Sequence, residues 1–171
     1  MQLEKAKAIA REIVYWLTPA CERIVVCGSI RRQKPEVGDI ELLCIPRLVD
    51  GIDQLDKVIR ALVIQGRLDF RRSKLGSRVY GPKNKFMVHL PSGVGVGIFS
   101  TTEECWPVSL VVRTGGEKTN KRIAMAAIRK GWHLKAYGRG FSTPQGELVC
   151  RSEKDVFEFV GLDYLEPWER E

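Results

Sequence analysis

At 171 residues, 44% hydrophobic and 29% charged, the chain has the make-up of one ordinary globular domain or of two small subdomains sharing a core. No apolar run approaches the roughly 20 residues that span a bilayer, and the opening MQLEKAKAIAREIVYWL mixes charge into its apolar positions, so neither a membrane span nor a secretory signal is expected. A net charge of +7 suits a polyanionic partner, and five cysteines without a CxxC pair point to reduced thiols in a cytoplasmic protein rather than to disulfides or zinc.

Leu3, Ala6, Ile9, Ala10, Ile13, Val14 and Leu17 recur with a 3.6 period and predict an amphipathic helix over 3–17. RIVVCG then reads as a buried strand entering a Gly-Ser turn, SIRRQ as a short helix stopped by Pro35, and GDIELLCIP as the next strand. A second helix carries Ile52, Leu55, Val58, Ile59, Leu62 and Val63 on one face and stops at Gly66. The pattern shortens into strands at LDFRR, SRVYG, KFMVHL and GVGVGIF, the last two joined by a Pro91-Ser92-Gly93 turn. TTEE (101–104) predicts a capping box for a helix running through Trp106 to Val112, with Pro107 in its first turn. RTGG interrupts, and a basic helix follows over 117–130, closed by Gly131. WHLKAYGRGFS reads as a hairpin turning at Gly138 and Gly140, and SEKD (152–155) as a second box opening a short helix that ends at Gly161. The whole predicts an α+β protein, with a mixed sheet and covering helices over 1–105 and a smaller helix-plus-hairpin subdomain over 106–171.

Asp39 and Glu41 sit two apart in an otherwise apolar strand, so their side chains share one face. Side-by-side carboxylates repel and are costly to bury without a counter-charge. Upstream, Gly28 and Ser29 follow a buried strand and open a short helix, where backbone N–H groups and a hydroxyl suit a phosphate, and Arg31 and Arg32 add guanidinium forks. A phosphate cradle beside paired acids is a layout for Mg²⁺ held between protein and a polyphosphate. The same residues would also serve as a structural ion-pair set on an edge strand, the acids against Arg31 or Arg32.

The ordered string GSIRRQKPEVGDIELL resembles the nucleotidyltransferase signature of DNA polymerase family X, the relatives of DNA polymerase beta. Two further strings fall in the family's order: VRTGGEKTNKRIAMAAIRKGWHLKAYG resembles its Thr-Gly turn, nucleotide-contacting helix and hairpin, and SEKDVFEFVGLDYLEPWERE its C-terminal ending. The resemblance implies a nucleotidyltransferase palm followed by a nucleotide- and DNA-contacting subdomain, in the minimal form without a lyase domain. It implies triphosphate binding by Gly28, Ser29 and Arg32, a glycine at Gly38 before the first acid, and metal binding by Asp39 and Glu41. It also implies a turn that accommodates the sugar at Thr114 and Gly115, and a base-sensing Asn120. Lys118, Lys121 and Arg122 then stand at the nascent base pair as DNA contacts, and Lys83 and Lys85, ahead of the GVGVGIF hairpin, are further DNA candidates. Where many members have aromatics before Thr-Gly, this chain has Val112 and Arg113.

One element of the pattern is missing. The family places a third metal-binding carboxylate in a V-x-V-D-hydrophobic-F context, and the matching string VGVGIF has Gly97 there. Gly97 is read as an introduced change from Asp, a natural weakening, or the mark of a binding-only descendant; the intact remainder of the site favours the first two. The expected activity is addition of deoxynucleoside monophosphates to a primer 3′-hydroxyl with two Mg²⁺ ions, Mn²⁺ substituting, in gap filling during DNA repair. The expected partners are a deoxynucleoside triphosphate and primer-template or gapped DNA, bound by a monomer. The alternatives are a template-independent terminal nucleotidyltransferase and a catalytically inactive DNA-binding module.

Overall fold

A computed structural model describes residues 1–171. Helix α1 (Leu3–Leu17) buries Ala6, Ile9, Ala10, Ile13 and Leu17, the stripe its periodicity predicts, and leads to strand β1 (Cys21–Val26). After the one-turn α2 (Gly28–Arg31) comes β2 (Ile40–Pro46), which pairs antiparallel with β1. A two-residue hairpin, β3 (Leu48–Val49) with β4 (Ile52–Asp53), precedes α3 (Gln54–Ile64). Ile52 therefore lies outside the helix, and Asp53 caps it by accepting the Asp56 N–H.

Strands β5 (Leu68–Phe70), β6 (Asn84–His89) and β7 (Val94–Ser100) complete a five-stranded sheet in the order β1-β2-β7-β6-β5. Its only parallel pair is β2–β7, with Glu41 opposite Gly97 and Leu43 opposite Phe99. Side chains alternate across it. Ile40, Leu42, Cys44, Met87, Val96 and Ile98 join α1 and α3 in the main core, while Glu41, Leu43, Phe86, Gly97 and Phe99 lie on the opposite face.

On that opposite face α4 (Trp106–Thr114) seats Trp106 with Cys27, Leu43 and Phe99. A second core, around Val108, Val111, Ile123, Ala127, Phe141, Val156 and Phe157, holds α4 to α5 (Glu117–Arg129), to the sheet of β8 (His133–Leu134), β9 (Gly140–Thr143) and β10 (Gly146–Val149), and to α6 (Glu153–Glu158). The SEKD box forms as predicted, Ser152 accepting the Asp155 N–H while Asp155 accepts the Ser152 N–H.

Three expectations are corrected. TTEE does not cap α4: Cys105 occupies that position without a side-chain bond, Thr101 pairs with Ser109 (2.8 Å), and Glu103 and Glu104 go to Arg23 (3.1 Å) and Arg139 (3.7 Å). With Pro107 in the first helical turn one missing donor is tolerated, and the acids gain ion pairs instead. SRVYG is no strand; residues 71–83 form a loop with isolated bridges at Arg72–Arg78 and Tyr80–Lys85. Arg72 opposite Arg78 places like charges face to face, which weakens pairing. The predicted hairpin gains a third strand, β10, whose short GELV run between turn residues carries little periodic signal. All five cysteines are free, and no helix is long and apolar enough to cross a membrane.

Candidate active site

The chain turns from β1 into α2 at Gly28, whose φ of +58° is one that L side chains rarely adopt. A Cβ there would overlap the Glu41 carboxylate, so Gly28 is the space into which Glu41 fits. Asp39 lies just before β2 and is exposed, whereas Glu41 is half-buried on the strand. Burial pushes the Glu41 carboxyl above its ordinary value, the like charge of Asp39 adds to this, and Arg32 and Arg113 oppose it. The two acids are thus unequal, one desolvated and one in water. Gly38 has open space around its Cβ position, so sterics within the chain do not demand glycine there.

Arg31 and Arg32 follow in the same turn and divide their work. Arg31 donates to both oxygens of Glu153 (2.8 Å each) and to Thr114 Oγ1 (2.5 Å), and Arg170, fully buried, donates to Glu153 from the other side (2.9 Å). Burial alone would raise the Glu153 carboxyl, but the hydrogen bonds from Arg31 and the charge and bond of Arg170 outweigh it and hold it below its usual range. Arg31 is therefore spent on this seam and is not free for phosphate. Arg32 donates to the Thr114 carbonyl, and its Nε has no partner. Thr114 is wholly buried with hydroxyl and carbonyl both engaged, so it meets a ligand only as the anchor of the turn. Gly115 (φ +71°) completes that turn: a Cβ on it would stand 2.9 Å from Arg32 Nη1, so glycine admits the guanidinium.

These groups border a crevice of about 560 Å³, within the usual range of small-ligand sites, between the sheet and α5. Arg32, Glu41, Arg113, Gly115, Asn120 and Lys121 line it, while Ser29 and Asp39 are their chain neighbours beyond its wall. Asn120 donates to the Val112 carbonyl (2.9 Å) and leaves its buried Oδ1 without a partner. Arg32 Nε and Asn120 Oδ1 are buried beneath the cavity's surface without a partner, so a ligand would meet the other atoms of these two side chains.

The parallel register sets position 97 directly beside Glu41 on the crevice face. A Cβ added there would lie 3.0 and 3.1 Å from two atoms of the Phe99 ring and 3.6 Å from Phe86, two rings packed edge to face at 5.7 Å. Against Phe99 lies Arg113, its guanidinium carbon 3.7 Å from the ring centroid, with looser contacts to Tyr137 Oη (3.2 Å) and Asn84 Oδ1 (3.4 Å). No three acids, histidines or cysteines converge anywhere in the molecule. Asp39 and Glu41 are the two carboxylates on this side of the sheet, one exposed and one half-buried.

Of the DNA candidates, Lys118, Lys121 and Arg122 project from the first turns of α5, Lys118 and Lys121 loosely paired with Glu171 and Glu117. Lys83 is exposed over the Tyr137 ring. Lys85 is not available: it is 1% exposed, donates to the Pro82 carbonyl (2.7 Å) and faces Asp53 (3.7 Å). As the second residue of β6 it points to the core side, away from where DNA could reach it. Arg113 is the crevice residue whose role sequence reasoning missed; its signal is that it is the only charge in the helix WPVSLVVRT.

Residues 109–171 match the DNA polymerase beta thumb family. A DNA nucleotidylexotransferase of Xenopus laevis is 33% identical over 78 residues, 45% of this chain and 15% of that protein's length. The fold matches Leishmania infantum polymerase beta in a ternary gap complex (TM-score 0.77, 20% identity) and in a ternary P/T complex (TM-score 0.75, 21% identity). All of this chain is covered in both, with 70% and 76% of the respective partner chains.

Proposed function

We propose that this chain, which has the polymerase beta fold, is a family X DNA polymerase-like protein that binds a deoxynucleoside triphosphate in the crevice and the 3′ end of a primer beside Gly97. Residues 1–105 act in this reading as palm and 106–171 as the nucleotide- and DNA-contacting subdomain. The reaction class is nucleotidyl transfer to the primer hydroxyl, in gapped or primer-template DNA. The observation that carries the reading is the convergence of Arg32, Arg113, Asn120 and Lys121 with Glu41 on one cavity of a polymerase beta-like fold.

Arg32 and Ser29 grip the triphosphate, Asn120 meets the base edge, and Lys118, Lys121, Arg122 and Lys83 contact the DNA backbone. A single Mg²⁺ or Mn²⁺ at Asp39 and Glu41 would supply charge neutralisation to the phosphates. With glycine at 97 no carboxylate stands ready to accept the primer hydroxyl's proton, so the site is better equipped to bind than to transfer. The two rings packed over position 97 favour this weakened reading over a fully active enzyme.

The test is extension of a gapped primer with each single nucleotide in Mg²⁺. Gly97→Asp is expected to raise templated incorporation at least about a hundredfold, the scale of a lost transition-state contact. Equal rates for both proteins would overturn the proposed role of position 97. Untemplated addition of all four nucleotides would instead support a terminal transferase.

A further inference from the structure

Arg113 stands apart from the other cations of the crevice. Lys121 is paired with Glu117, and Arg32 is tied to the Thr114 carbonyl. Arg113 forms no salt bridge, the Glu41 charge acting on it only from a distance; it is half-buried over the Phe99 ring, and its hydrogen bonds are to a phenol and an amide oxygen at 3.2 and 3.4 Å. A partly desolvated guanidinium with only neutral, long contacts is poorly compensated. The aromatic face fixes its plane and spends few of its five N–H donors, so a fork remains available. It lines the crevice together with Arg32, Asn120 and Lys121, and a planar fork in that setting matches phosphate oxygens.

We propose that Arg113 is a phosphate-binding residue of the crevice, giving a nucleotide or a polynucleotide end a hold that does not depend on a divalent cation. The Phe99 ring acts as its platform, and the missing carboxylate at 97 leaves the guanidinium uncommitted: an acid there would compete for it. The inference rests on the nucleotide-binding reading above but adds a residue and a consequence to it. A site with two carboxylates and this extra cation keeps part of its affinity for phosphate when metal is removed.

The experiment measures binding of a deoxynucleoside triphosphate and, separately, of a short single-stranded DNA to the full chain in EDTA. It compares the parent with Arg113→Gln and Arg113→Lys, with thermal melts for each. Arg113→Gln is expected to weaken binding at least about tenfold, the worth of one charge-assisted bond, and Arg113→Lys to recover part of the loss. A loss confined to the triphosphate identifies nucleotide phosphate as the ligand; a loss confined to DNA identifies a phosphodiester. A purely structural role would lower the melting temperature of both variants without separating Lys from Gln in binding, and that result would overturn the inference. Unchanged affinity of Arg113→Gln for both ligands would overturn it equally, while leaving the proposed function standing. No nucleotide binding by the parent, with or without Mg²⁺, would remove the proposed function and this inference together.

Discussion

The arginines behind the crevice and those lining it are held in opposite ways. On the α2 side, Arg31 and Arg170 close on Glu153 from both directions and Thr114 takes what remains, so nearly every bond is made within the protein. On the α4 side, Arg113 lies over the Phe99 ring with no salt-bridge partner, and that ring fills the space a side chain at Gly97 would take. A saturated wall has little left to give a ligand and serves as scaffold. An under-partnered one is where a ligand completes the structure. Adjacent residues can fall on either side of that divide: Arg31 is scaffold, while Arg32 lines the crevice.

The largest effect should come from breaking the scaffold. Glu153→Ala strands two guanidiniums in a setting where Arg170 is 0% and the Arg31 side chain 22% exposed, and removing one member of a buried ionic group costs about 3–5 kcal/mol. Thermal melting should show it as a fall of roughly 10 °C for a chain of this size. Acid tests the same wall without mutation. The Glu153 carboxyl is held below its ordinary value near 4.5, so its stabilising contribution is complete above that pH and is lost as pH falls through the lowered folded value. Glu41, raised above 4.5, has the opposite sign: its burial penalty is present at neutral pH and is relieved as pH falls through its raised value. Melts from pH 7 to 3 should therefore show little loss until below about pH 4.5, and Glu153→Gln should flatten the acid limb.

Perturbing the open wall should cost less. Phe99→Leu removes the platform under Arg113 and is expected to weaken metal-free phosphate binding by a few-fold, the worth of about 1 kcal/mol of cation–π contact, and by less than Arg113→Gln does. Titration of nucleotide in EDTA checks the ranking. The smallest effect belongs to the loop after β5. From Phe70 to Thr102 the sequence has no Asp or Glu, and Arg71, Arg72, Lys74 and Arg78 are exposed and unpaired by carboxylates. Lys74→Ala should leave stability unchanged and weaken DNA binding slightly, lowering the slope of affinity against salt by about 1 if that side chain meets a phosphate.

Much of this was legible in the sequence because it is local. The stripe of α1, the Ser152–Asp155 box, and the alternation that puts Glu41 on one sheet face and Leu42 on the other each follow from a few neighbouring residues. The ordered strings around Gly28 to Glu41 and Arg113 to Asn120 predicted which residues would meet, and Arg32, Glu41, Gly115 and Asn120 line one crevice. What stayed hidden depends on distant partners. Arg31 reads as a phosphate ligand until Glu153, far along the chain, is seen to claim it. Lys85 reads as a surface cation until β6 turns it inward against Asp53. Glu103 and Glu104 read as helix caps until Arg23 and Arg139 draw them away. In each case a charge was assigned to its sequence neighbourhood and the fold had already paired it elsewhere.

The single parallel pairing of β2 with β7 also bears on how the chain folds. No hairpin can make it: the Glu41–Gly97 register requires the β3–β4 hairpin, α3 and the β5–β6 segment to be in place, or at least looped out, between the two strands. Such non-local pairing is slow to form compared with the local hairpins on either side. The crevice wall therefore belongs to the late-assembled part of the molecule, and a ligand bound there reports that the last long-range contact has closed. Any ligand of the crevice should accordingly raise the melting temperature in proportion to the logarithm of its concentration, by linkage to the folded state alone.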